Sequence, residues 1–293
     1  MDYLCKATAE DVRVYAAITT GVVGEAARRH RCGALATAAL GRVMTGALLL
    51  AANLKNRECL TVKFHGNGPL GKIVADASAD GSTRGYVVHP EVELPLTNGK
   101  LSVGQGVGRG FLSVTRFTGL KDPVTGTCEI FSGEIAEDLT RYLFQSEQTP
   151  SVVGLGVLVG IDGSTEAAGG FIVQPLPGAS EETLERLEQT VATLRPVSMM
   201  VKDGLSAQEI VAEVLRGFTA IHVLSETELS FRCQCSKNRT REILSTLRDE
   251  DLKQLEEDGN AEVCCDFCGE KYHFTKEELV EIRRMMLENR KVK

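Results

Sequence analysis

The stretch VCCDFCGEKYHF, residues 263–274, packs three thiols into five positions, and FRCQCSKNRT, residues 231–240, adds two more with one residue between them. Within the first stretch, Cys265 and Cys268 run into Gly269 as a CxxC-G knuckle. In such a turn two sulfurs converge on one point, backbone N–H groups are placed to donate to them, and the glycine accepts backbone angles that other residues resist. In the second stretch Cys233 and Cys235 form CxC. Extended backbone presents both of those side chains on one face, because residues i and i+2 share a side of a strand. Two such pairs supply four soft thiolates, the ligand set of a tetrahedral zinc. Cys233, Cys235, Cys265 and Cys268 are therefore the expected metal ligands, with one Zn2+ as cofactor. Cys264 adjoins Cys265 but does not complete a CxxC with Cys268, so it reads as a bystander thiol. His273 alternates with Tyr272 and Phe274 in a strand pattern and reads as structural.

The metal decides how the segment from 231 onward folds. Its helical patches TREILSTL and EDLKQLEED, the latter closed by Gly259, offer little apolar surface. A core this small is worth only a few kcal/mol, whereas structural zinc contributes on the order of 10–16 kcal/mol. Thr275 with Glu278 forms a capping box and Phe274 can staple onto Leu279, which predicts a final helix from about 276. Four cysteine ligands leave no open coordination position, which argues against a hydrolytic zinc enzyme and for a structural or switching metal. Four thiolates also carry two more charges than the metal neutralises. The nearby cations are few, chiefly Arg232, Lys237 and Lys271.

Upstream, QPLPGAS at 174–180 punctuates the chain with two prolines and a glycine. Ser180 caps a helix whose first turn carries Glu181 and Glu182 and whose stripe is Leu184, Leu187, Val191 and Leu194, with Pro196 ending or kinking it. Ser206 and Glu209 make a capping box for a second helix carrying Ile210, Val211, Val214, Leu215 and Phe218. Before the break, VRVYAAI (12–18), LTVKFHG (60–66) and KLSVGQG (100–106) alternate as half-buried strands do, while residues 33–54 and 133–148 read as helices. GQGVGRG at 104–110 precedes FLSVTRF, a strand pattern, and so lacks the following helix that a dinucleotide-binding loop needs. The expected fold class is α+β: an N-terminal domain of mixed sheet and helix at 1–178, a helical linker at 179–230 and a small zinc-binding domain at 231–293.

Composition narrows the function. The net charge of −7 and pI near 5.4 argue against a polyanion as main partner, so no nucleic acid is expected. GALATAALGRVMTGALLLAA, residues 33–52, is long enough for a bilayer, but Arg42 at its centre makes a buried core helix the better reading, and no membrane association is expected. The opening MDYLCKATAEDVRV lacks the basic and apolar regions of a secretory signal, and the scattered Cys5, Cys32, Cys59 and Cys128 behave as small hydrophobes of a reducing compartment. A cytoplasmic protein is expected. Two other classes compete for the CxC and CxxC pairs. A zinc-finger module binding nucleic acid or a transcription partner would need more basic excess than RKVK at 290–293, and a thiol oxidoreductase would place its CxxC at the start of a helix.

Taken with the spacer at 236–264 and CDFCG at 265–269, the CxC pair resembles the redox-regulated chaperones of the heat-shock protein 33 type. GNGPLGKIVADASADGSTRGYV (66–87) and SEQTP (146–150) extend that likeness over the whole length. The resemblance implies a chaperone rather than an enzyme: an ATP-independent holdase for unfolded or partly unfolded client proteins under oxidative stress, idle when reduced and zinc-bound. It implies that oxidation forms two disulfides, Cys233 with Cys235 and Cys265 with Cys268, releases zinc, unfolds the C-terminal domain and linker, and yields an active homodimer. Cys264 departs from the family's minimal four-cysteine pattern. A folded zinc domain docked on the linker helices would keep their apolar stripes covered, which gives the expected coupling a physical route.

Overall fold

A computed structural model describes residues 1–55 and 57–291, the last four of these by backbone alone. The side chains of the basic run at 290–293 thus lie outside the described residues. The chain groups into two units, Met1–Arg232 and Cys233–Lys293. In the first, β1 (Tyr3–Ala9), β2 (Val12–Ile18), α1 (Thr20–His30) and α2 (Ala34–Ala51) are followed by β3 (Cys59–Gly66), β4 (Lys72–Ser78) and β5 (Ser82–Val87). Next come α3 (Val103–Val107), β6 (Gly110–Phe117), β7 (Val124–Glu129) and α4 (Ala136–Gln145). Strands β8 (Val152–Val159) and β9 (Thr165–Pro175) lead to α5 (Glu181–Ala192), α6 (Val197–Lys202), α7 (Ala207–Val214), β10 (His222–Glu228) and β11 (Ser230–Phe231). The second unit holds α8 (Lys237–Leu244), α9 (Asp249–Asp258), β12 (Asn260–Cys264), β13 (Lys271–Thr275) and α10 (Lys276–Lys291).

Unit 1 is built on two sheets with α2 packed on both. One sheet runs β10-β1-β2-β9-β8 and the other β11-β5-β4-β3-β6-β7. Leu40, Val43, Met44, Leu48 and Leu49 of α2 share one buried cluster with Tyr15 and Ile172 of the first sheet and Leu60, Val62, Phe64, Ile73 and Val114 of the second. A helix apolar all round is one that is covered all round. By length and composition α2 would cross a bilayer, yet 89% of it is buried inside the protein. Arg42 is accommodated by an ion pair, its Nη1 standing 2.7 Å from Glu134 Oε2.

The opposite face of the first sheet is covered by α5, α6 and α7. Leu187, Val197, Met200, Ile210, Val211 and Val214 close over Ala7, Val12, Val14, Phe171 and Val173. Both helix starts are as the sequence predicts: Ser180 accepts from Thr183 N–H, and Ser206 and Glu209 exchange hydrogen bonds as a capping box. Pro196 caps α6.

Two expectations are corrected. Residues 179–230 are not wholly helical, because His222–Glu228 pairs antiparallel with β1 as an edge strand. Its residues are almost all exposed, so no burial alternation marked it. Residues 100–106 are not a strand either: Val103 and Val107 bury the same face of the short helix α3, at a spacing of four. FLSVTRF does form a strand, within β6.

Ile210 is fully buried in the α7 contact with the first sheet. Ile210→Ala removes that side chain and leaves a cavity, so it is expected to lower the stability of unit 1 by about 2–5 kcal/mol, read as a fall in the urea midpoint. A loss below about 0.5 kcal/mol would show that α7 is held by something other than this face.

Candidate metal centre

Each thiol of the second unit is placed by local backbone chemistry. The β12–β13 hairpin pairs Cys264 with Lys271, so Cys264 is its last strand residue and is exposed. Cys265 then enters the turn, which is closed by Gly269 N–H and Cys268 N–H donating to Cys265 O at 2.8 and 3.3 Å and by Cys265 N–H donating to Glu270 O at 2.9 Å. Gly269 takes φ +70, a conformation that costs a residue with a Cβ but not glycine. Cys235 precedes Ser236, whose hydroxyl caps α8 by accepting from Arg239 N–H. Under the hairpin, Leu244, Leu252, Ala261, Phe274, Leu279, Ile282 and Met286 form the small core. The Thr275–Glu278 capping box is present, and Phe274 and Leu279 are both buried in that core.

The four sulfurs of Cys233, Cys235, Cys265 and Cys268 all lie within 4.8 Å of one another. Cys233 Sγ is 3.8 Å from Cys265 Sγ, and Cys235 Sγ is 3.3 Å from Cys268 Sγ. A tetrahedral zinc with metal–sulfur bonds of about 2.3 Å needs sulfurs about 3.8 Å apart, so the donor set fits the group in both number and spacing. The CxC pair and the knuckle interleave, each sulfur of one facing a sulfur of the other. Cys264 and His273 are not part of the cluster, His273 standing beside Glu262 at 3.6 Å.

The Tyr272 hydroxyl donates to Cys235 Sγ at 3.1 Å, a second layer that sequence reading missed. Alternation along β13 placed Tyr272 beside His273 and Phe274, but nothing in that pattern showed which sulfur its hydroxyl would reach. Burial drives the Cys268 thiol well above its ordinary range and raises Cys265 as well. Burial thus makes these two thiols resist ionisation, and a divalent cation reverses that preference by stabilising the thiolates. The three cations nearest in sequence are engaged by carboxylates: Arg232 with Asp80, Lys237 with Glu278 and Lys271 with Glu262.

An α+β body with helices over one sheet, followed by a small unit closed around four thiols, defines a class of protein whose terminal unit could hold a metal ion. Residues 2–275 match the family described as Hsp33 protein. The chain is 47% identical over 291 residues to a protein of Desulforamulus reducens named 33 kDa chaperonin, covering 98% of this chain and 99% of that one. It is 50% identical to the 33 kDa chaperonin of Bacillus licheniformis, over 97% of this chain and 99% of the relative. The crystal structure of the 33 kDa chaperonin, a heat shock protein 33 homolog, from Thermotoga maritima superposes with a TM-score of 0.91 at 33% identity, covering 98% and 99% of the two chains. The chain belongs to the Hsp33 family.

Two substitutions test the centre. Tyr272→Phe removes the hydrogen bond to Cys235 and is expected to weaken zinc affinity about tenfold, read by competition with a chromogenic chelator. Cys264→Ser is expected to leave one zinc per chain, because that thiol lies outside the cluster; a halved stoichiometry would place Cys264 among the ligands.

Proposed function

We propose that the protein is an ATP-independent holdase whose four-cysteine centre is a redox switch. The observation that carries the reading is the convergence of four thiols in a unit with a very small core. Cys233, Cys235, Cys265 and Cys268 hold one Zn2+, which when bound supplies the cross-link that this core lacks. On oxidation each pair of thiolates gives two electrons to one hydrogen peroxide, which takes up two protons from solvent, forming one disulfide and two waters. Two peroxides thus join Cys233 to Cys235 and Cys265 to Cys268, and sulfurs bonded to each other no longer serve as ligands.

The same proposal assigns residues 1–178 to the chaperone body, 179–230 to the linker and 231–293 to the switch. Immediately before Cys233 the chain is anchored in both sheets, through β10 on β1 and β11 on β5. Unfolding of the switch frees the end of this anchor, and local opening then reaches the exposed strand β10 and the helices before it. Departure of α5–α7 uncovers the apolar face formed by Ala7, Val12, Val14, Phe171 and Val173. Such a face binds unfolding client proteins, and in a second copy it favours a homodimer. Neither nucleic acid nor membrane has a place in this reading, and the site is cytoplasmic because it depends on reduced thiols.

Zinc content and suppression of thermal aggregation of a client, measured before and after peroxide, test the proposal. Oxidation is expected to release one zinc per chain and raise suppression severalfold; equal activity in both states defeats the switch. Hydrogen exchange tests the coupling separately. Protection across 180–230 is expected to fall in the oxidised protein, and full protection after zinc loss would disprove it.

A further inference from the structure

A polar cavity of about 280 Å3 in unit 1 is formed by β2, the end of α2, β6, the segment after α4, and β9. Its walls carry Arg13, Tyr15, Asn53, Arg116, Glu147 and Gln174. SEQTP, which the metal centre does not use, supplies Glu147 and Thr149 to that wall.

The charges in this cavity do not balance. Glu147, its one carboxylate, is ion-paired with Arg116, whose Nη1 stands 2.6 Å from Oε1, though Oε1 accepts no hydrogen bond, and the Tyr142 hydroxyl donates to the same side chain. Burial first, and then Glu147, push the Tyr142 phenol up to about 12. Arg13 meets only neutral partners. Its Nη2 donates to Gln174 Oε1 at 2.7 Å, Gln174 Nε2 donates to Ser151 Oγ at 2.9 Å, and Ser151 Oγ donates to Thr149 O at 2.9 Å. This chain of bonds fixes the guanidinium without neutralising it. Arg13 Nε is buried and has no hydrogen-bond partner.

Neighbouring groups add positive charge. Arg13 and Lys6 both lie over the Tyr15 ring, at 5.4 and 5.6 Å from its centroid. Burial, followed by the repulsion of Arg13, lowers the Lys6 ammonium below its ordinary range. The Tyr15 hydroxyl donates to Asn53 Oδ1 at 2.7 Å, which leaves the Asn53 amide nitrogen as a donor at the rim.

A buried N–H of a cation that lacks an acceptor is costly, and the planar fork of arginine matches an oxyanion. At ~30 Å3 per water the cavity equals about nine waters, enough for orthophosphate or a short carboxylate and too small for a nucleotide. We propose that this cavity is a binding site for a small oxyanion of the orthophosphate or short-dicarboxylate class, with Arg13 as principal ligand and Arg116 and Asn53 completing it. The site belongs to unit 1 alone and does not depend on the switch.

Calorimetric titration of the full reduced chain with orthophosphate, and separately with succinate, tests this at ionic strength held constant with chloride. One saturable site per chain is expected for at least one probe, and the tighter probe identifies the anion class. Arg13→Gln is expected to weaken binding about tenfold or more, the ~1.4 kcal/mol of one charge-assisted hydrogen bond. Should Arg13→Gln not fold, Arg13→Lys keeps the charge but loses the fork, and the same weakening is expected in a chain whose circular dichroism is unchanged. Saturable binding by neither probe at millimolar concentration, or affinity unaltered in both variants, overturns the proposal.

Discussion

Burial of α2 on both sides is the constraint on which the body of the protein depends. A helix with apolar side chains around its whole circumference leaves no face for water, so a single sheet cannot cover it. The two sheets of unit 1 do so together, and their inner faces share one core with Leu40, Met44 and Leu48. One consequence is that the first sheet has an outer face still to be covered. Helices α5–α7 lie there as a separate layer over Ala7, Val14 and Val173. That layer is continuous in sequence with the thiol unit, through β10, β11 and Arg232.

The small unit obeys a different constraint. Its core of Leu244, Leu252, Phe274, Leu279 and a few neighbours is too slight to hold two hairpin strands and three helices by hydrophobic burial alone. Convergence of Cys233, Cys235, Cys265 and Cys268 offers four ligand atoms that could hold a metal in place of apolar area.

Much of this was legible in the residues themselves. The four thiols, the capping boxes at Ser206 and Thr275, the apolar run of α2 and the break at 174–180 are local signals with local causes. Strand β10 was hidden because an exposed edge strand shows no burial alternation. Helix α3 was hidden because a turn and a half of helix, GQG at its middle, imitates a strand when read at period two. The Tyr272 hydroxyl on Cys235 and the uncompensated Arg13 involve residues 37 and 161 positions apart from their partners, beyond the reach of any window.

By itself, then, the sequence determined which residues offer soft donor atoms, cap and break: thiols in CxC and CxxC, hydroxyls before helices, prolines and glycines at boundaries. These depend on the chemistry of a residue and its immediate neighbours. Only the tertiary structure decided that α2 would be enclosed by two sheets, that Cys264 would face outward while Cys265 turned in, and that Arg13 would meet a glutamine where a carboxylate was needed. Those outcomes depend on strand register and on which distant surfaces meet, because burial and electrostatic pairing are properties of an assembled neighbourhood.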